Sequence, residues 1–271
     1  MKTHHMTLSI MNDSSSLSEA WTKLKPHWLI PTTGKEIPKT PSYSLLRLLL
    51  SPFLRPMLNV RMHGLHRIPR TGPVILAANH LSHVDPIIII ASARRTTYYL
   101  AKEGHFKNAA MRTAMRATGQ IKTERKVGGE GALSSAADVL DAGKALGIFP
   151  EGTRSKRTEA PFLLPGKTGA ARLAASYPNS VVVPIALNGT RSMMQPQLHK
   201  FPRLWRRVVL SAGEGMTWLE WLGNPQGGST NAKQLAEVAQ LEEHEIRAFL
   251  SSLYRKFTDQ LMNSISDLGA P

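Results

Sequence analysis

"PVILAANHLSHVDP", residues 73–86, runs from an apolar stretch through a polar knot to a proline. A short continuous apolar run such as "PVILAA" reads as a candidate strand. Pro86 suits the first turn of a helix and biases Asp85 away from the αR region, so a helix is expected from Pro86 with Asp85 as its cap. Strand, turn and helix make the repeating unit of an α/β sheet, and ligands bind such sheets in the turns at the strand ends.

Outward from this unit, from about residue 61, short apolar runs bounded by Gly or Pro alternate with helix-like stretches. "TYYLA" (97–101), "GQIKT" (119–123), "LGIF" (146–149), "VVVPIAL" (181–187) and "RVVLSA" (207–212) read as further strands. Residues 86–93, 105–117, 129–143 and 167–176 read as helices. The alternation predicts an α/β domain over 61–271, a layered sheet flanked by helices. Thr230 and Asn231 are cap-forming residues ahead of a long stretch with helical spacing, which predicts one or two C-terminal helices from about residue 231. Residues 1–40 lack sustained periodicity and are expected to form a mobile or lightly docked arm, with a short amphipathic piece in "LSEAWTKLKPHWLI".

At 271 residues the chain is long enough to bury a substantial core without a staple. It has no cysteine, which excludes disulfides, thiolate zinc sites and a cysteine nucleophile. Thirty-four Lys and Arg against nineteen Asp and Glu give a formal charge of +15, so the surface attracts polyanions or anionic lipids. No nucleic acid is expected as a partner, because no zinc-finger spacing, RNP-like motif or basic-region heptad accompanies the charge. No run reaches the ~20 uninterrupted apolar residues of a spanning helix. "YSLLRLLLSPFLRPMLNV" (43–60) carries Arg47, Arg55 and two prolines. Residues 41–60 are expected as an amphipathic, membrane-facing helical segment whose arginines reach lipid phosphates, the alternative being an ordinary packed helix. No secretory signal is expected in the polar N-terminal residues.

The polar knot holds His80, Ser82, His83 and Asp85. In an unbroken helix His80 and Asp85 would stand about 140° apart around the axis, so a turn must bring them together. An imidazole held by a carboxylate in one tautomer suits a general base. A metal site of His80, His83 and Asp85 has the right ligand types but no common spacing. A Ser82 nucleophile lacks the G-x-S-x-G elbow. A capped turn with incidental histidines also fits the octapeptide. A second block, "GIFPEGTRS" (147–155), opens a strand into Glu151, Gly152, Thr153 and Arg154, where glycine admits close approach and arginine offers a planar fork for a phosphate. "PGKTG" (165–169) ends like a Walker A loop, but Pro161 stands where the first glycine belongs.

The two blocks together, Asn79-His80 to Asp85 and Phe149 to Ser155, resemble those of the 1-acyl-sn-glycerol-3-phosphate acyltransferase family, within the lysophospholipid acyltransferase superfamily. "YLAKEGHF", "GQIKTER", "PGKTGAARLA" and "VVVPIALNGT" are similar to its intervening and following segments, and the likeness covers about residues 60–215. Thr123 departs from the aliphatic residue more usual in the family's middle block. The resemblance implies an O-acyltransferase that moves a fatty acyl group from acyl-CoA or acyl-carrier protein to 1-acylglycerol-3-phosphate, giving phosphatidic acid. His80 would take the proton of the acceptor hydroxyl and Asp85 would orient His80. Arg125, Gly152 and Arg154 would hold the acceptor phosphate, Glu151 would organise the loop, and Lys102, Thr153 and Lys167 would contact substrate. No metal and no cofactor beyond the thioester co-substrate are implied. Membrane lipids and the thioester donor would be the partners, and the protein would sit peripherally or monotopically on the cytoplasmic face of a membrane. Segment 43–60 and "RLWRR" (203–207) are the expected membrane-facing parts. The alternatives are an acyltransferase for another lysolipid or glycolipid acceptor and a non-catalytic basic membrane-binding protein.

Overall fold

The computed structural model describes residues 15–40, 43, 59–93, 95–102, 112–113, 118–123, 128–195, 198–199 and 201–271. Nearly all of the expected 105–117 helix and of the 43–60 segment lies outside these residues.

Two short helices, α1 (residues 15–23) and α2 (Lys25–Trp28), precede the sheet. The strands are β1 (Val60–His63), β2 (Val74–Ala78), β3 (Thr97–Lys102), β4 (Ile121–Thr123), β5 (Ala145–Ile148), β6 (Val181–Asn188) and β7 (Val208–Ala212). They form one seven-stranded sheet in the order β1-β7-β6-β2-β5-β3-β4, parallel except for the β6–β7 pair. The helices among and after the strands are α3 (Asp85–Ser92), α4 (Gly128–Asp141), α5 (Gly169–Ser176), α6 (Thr190–Met193), α7 (Trp218–Gly223), α8 (Ala232–Val238) and α9 (Glu243–Asp267).

β2 is buried at every position because helices cover both its faces. Its alternate residues serve two cores: Ile75 and Ala77 face one, Val74, Leu76 and Ala78 the other. From β2 the chain crosses by α3 towards β3, and from β5 it returns by α5 in the opposite direction to β6. Right-handed crossovers in opposite directions must use opposite faces. Ile88 and Ile89 of α3 accordingly sit in one core, while Ala170 and Leu173 of α5 sit in the other. The carboxyl ends of the neighbouring strands β2 and β5 thus open a crevice between diverging connections, which is where open α/β sheets hold their ligands.

The N-terminal residues differ from the expected mobile or lightly docked arm. Among the described residues of that stretch, Leu17, Trp21, Leu24, Trp28 and Ile30 are buried in the core with α5, α7 and α9. Trp21 stacks on Trp28 with centroids 5.6 Å apart and donates its indole N–H to the Ala175 carbonyl at 3.1 Å. Beyond α2, Asp138 of α4 accepts hydrogen bonds from the Thr33 and Gly34 backbone N–H groups at 2.8 and 3.2 Å. The docking rests on partners more than a hundred residues away, which local periodicity does not reveal. β1, too, was not expected: "VRMH" is short and polar at alternate positions, and its pairing with β7 makes it a strand.

Candidate active site

The site assembles at the ends of β2 and β5. The register pairs Ala77 with Ile148, so the turns that begin at Asn79 and Phe149 emerge side by side. Asn79 is wholly buried and anchors its turn to β6, exchanging two hydrogen bonds with the Leu187 backbone at 2.7 and 2.9 Å.

Within the turn, Asp85 is fully buried and its Oδ2 accepts three donors: His80 Nδ1 at 2.9 Å, Leu81 N–H at 2.6 Å and Ser82 N–H at 2.7 Å. The expected cap is not formed. Asp85 is the first residue of α3, with Val84 at the cap position, and its carboxylate turns back to the preceding loop instead of forward to the helix. With Nδ1–H donating to Asp85, the other ring nitrogen of His80 is the proton acceptor. The His80 side chain keeps 17 % of its surface accessible, so the imidazole is open to solvent while Asp85 is not.

The His80 ring lies on Phe149, centroids 3.9 Å apart and planes within 12°. Phe149 in turn packs on Tyr99 at 5.5 Å. Glu151 clamps the two turns from behind: Oε1 accepts His80 N–H at 2.6 Å and Oε2 accepts Leu164 N–H at 2.9 Å. Burial pushes its carboxyl up to about 7, although both N–H groups favour the anion. Ser155 N–H completes the joint by donating to the His80 carbonyl at 3.0 Å.

Gly152 adopts a left-handed φ of 68°, and a Cβ there would press on the Lys167 side chain at 3.0–3.1 Å. The left-handed conformation therefore favours glycine here, while the flexible Lys167 side chain passes close over the loop. Arg154 reaches back and donates to Nε2 of His83, so His83 is tied to the second block and is not a plain spacer. Ser82 is also engaged, its hydroxyl donating to the Met194 carbonyl at 2.6 Å.

The structure thus brings together His80, Asp85, Glu151, Gly152, Arg154 and Lys167, with Thr153 exposed on the same loop. Lys102 closes β3, two strands from β2 and at the same edge of the sheet. Arg125 lies outside the described residues. Tyr99 and the Leu164 backbone were not foreseen as parts of the site; only the three-dimensional stack and clamp reveal them. Among the described residues no group of three or more His, Asp or Glu is placed to hold a metal ion.

The sequence model of the Acyltransferase family matches residues 59–188, which contain both blocks. Residues 59–188 form a domain of the acyltransferase family. This acyltransferase domain is similar to the 1-acyl-sn-glycerol-3-phosphate acyltransferase of Borreliella burgdorferi, at 28 % identity over 131 residues, 48 % of this chain and 51 % of that protein. It is also similar to the protein of the same name from Helicobacter pylori, at 28 % identity over 158 residues, 56 % of this chain and 66 % of the relative. The chain therefore spans about half to two-thirds of the length of these relatives. A crystal structure of the 1-acyl-sn-glycerophosphate acyltransferase PlsC from Thermotoga maritima superposes with a TM-score of 0.48 at 19 % identity, over 90 % of this chain and 94 % of that one.

Proposed function

We propose that the protein transfers a fatty acyl group from an acyl thioester, acyl-CoA or acyl-carrier protein, to the free hydroxyl of 1-acylglycerol-3-phosphate at a membrane surface. The observation that carries this reading is the His80–Asp85 pair, buried on the carboxylate side, open on the imidazole side, and joined to a glycine-containing loop with Arg154 and Lys167. His80 takes the acceptor hydroxyl proton as the oxygen attacks the thioester carbon. The tetrahedral intermediate then collapses with cleavage of the C–S bond, and His80 returns the proton to the departing thiolate. No acyl-enzyme is required, which suits a chain without cysteine. Arg154 and Lys167 supply the cations that an acceptor phosphate needs beside the base.

Because the protein has no thiol of its own, thiol release from acyl-CoA can be followed with a thiol reagent against no protein background. With 1-acylglycerol-3-phosphate as acceptor, His80→Ala is expected to abolish acceptor-dependent release while its circular dichroism stays that of the parent. Undiminished turnover in that variant would overturn the mechanism. A panel of lysolipid and glycolipid acceptors tests the acceptor assignment: preference for an acceptor without a phosphate monoester would assign the chain to the related activity.

A further inference from the structure

Among the described residues, the most exposed large apolar side chains are Leu198, Phe201 and Trp205, at 67, 81 and 69 %. All three lie on the connection between α6 and β7. Single exposed apolar residues are ordinary, but two aromatics and a leucine on one short connection are not, in a chain with only 6 % aromatics. The other four tryptophans are buried, none above 7 % exposed. Arg206 and Arg207 are exposed next to Trp205.

The base of the connection is fixed. Leu204 packs against the core beneath β7. Arg203 donates its backbone N–H to the Met193 carbonyl at 2.8 Å and its guanidinium to the Ser192 carbonyl at 2.7 Å. The next carbonyl, that of Met194, accepts the Ser82 hydroxyl of the catalytic turn. The aromatic tip is therefore wired, through α6, to the turn that carries His80. Aromatic rings beside arginines match the lipid interface, where rings enter the headgroup layer and guanidinium groups meet phosphates. Nucleic acid would use the arginines and stack bases on the rings but would leave Leu198 in water, whereas a bilayer takes up all three apolar side chains.

We infer that Leu198, Phe201 and Trp205, flanked by Arg206 and Arg207, form an interfacial anchor that inserts into an anionic bilayer and holds the catalytic turn at its surface. The orientation of the turn towards a lysolipid rests on the proposed function; the insertion itself does not.

The test uses the whole chain and vesicles of phosphatidylcholine with about a third phosphatidylglycerol, without thioester. Trp205 is the water-exposed tryptophan, so vesicles are expected to blue-shift the emission and to allow quenching by brominated lipid. Trp205→Phe should lose most of that response while still sedimenting with vesicles. Phe201→Ser/Trp205→Ser, and separately Arg206→Glu/Arg207→Glu, should weaken partitioning roughly tenfold or more with unchanged circular dichroism. In the acyl-transfer assay, the serine variant should lose a similar factor on vesicle-borne lysolipid but not on a short-chain, water-soluble one. Partitioning of the serine variant equal to that of the parent, or Trp205 still open to acrylamide on saturating vesicles, would overturn the anchor. So would binding to an oligonucleotide but not to vesicles. Insertion of Trp205 in a protein that acylates no lysolipid would support the anchor and sink the acyltransferase reading alone.

Discussion

Asp85 Oδ2 is the hinge of the site, because one buried oxygen satisfies a side chain and two backbone donors of the same turn. Asp85→Asn keeps the size but offers one neutral acceptor for three donors and places an NH2 group beside them. The expected result is a folded enzyme with the wrong imidazole tautomer and kcat lowered by about two to four orders of magnitude, read by acyl transfer under saturating substrates. Asp85→Ala leaves the three donors without that oxygen and should cost about 2–4 kcal/mol in a urea titration. Glu151 gives a pH signature with a definite sign. Its carboxyl is raised from 4.5 to about 7, chiefly by burial, so between those values the folded protein holds a proton that the unfolded chain releases. Stability from this group is present in full below 4.5 and is lost as pH rises through about 7. Urea midpoints measured across this range should fall less steeply with pH in Glu151→Gln than in the parent; identical slopes would refute the assignment.

At the scale of elements, what was legible depended on whether a pattern is local. The six strands from β2 to β7 follow from short apolar runs, and α4, α5 and the capped C-terminal helices from helical spacing and from Asn231. His80 and Asp85 were readable as a pair only through the resemblance of the two blocks; the octapeptide alone, where a turn suffices to join them, equally allowed a metal site, a serine nucleophile or a plain capped turn. The Tyr99–Phe149–His80 stack was not readable, since it joins β3, the end of β5 and the end of β2 across the sheet. Gly147 exists for this stack: a Cβ there would fall 2.0–2.5 Å from Tyr99 ring carbons. Gly147→Ala must therefore displace Tyr99 or β5, at about 1–3 kcal/mol, and should lower acyl transfer by tilting the platform beneath His80. In the double variant Gly147→Ala/Tyr99→Leu the two stability losses should not add, because the clash disappears with the ring. Additive losses in a denaturant cycle would show that the two residues do not share this contact.

At the scale of the molecule, the sheet separates the proposed catalytic turn from the bracing helices. α3, the His80 turn and α6 belong with one core, while α1, α2, α4, α5, α7, α8 and α9 build the other. α1 and α2 fall on the short amphipathic piece expected in "LSEAWTKLKPHWLI", but where its apolar residues dock is decided only against Ala175, Trp218 and the α9 stripe. Trp21 is the keystone of that face: fully buried, stacked on Trp28, and 5.4 Å from the Trp218 ring. Trp21→Ala removes a large side chain from a site closed on all sides, so the cavity collapses poorly and the expected loss is about 3–5 kcal/mol. The loss should appear as a lower urea midpoint. Because the proposed catalytic turn packs with the opposite core and is set by the β2–β5 register, the remaining folded molecules should keep the parental kcat and KM at a temperature well below the transition. A Trp21→Ala protein that is fully folded by circular dichroism yet has lost turnover would show that the N-terminal brace reaches through the sheet to His80, contrary to this division of labour.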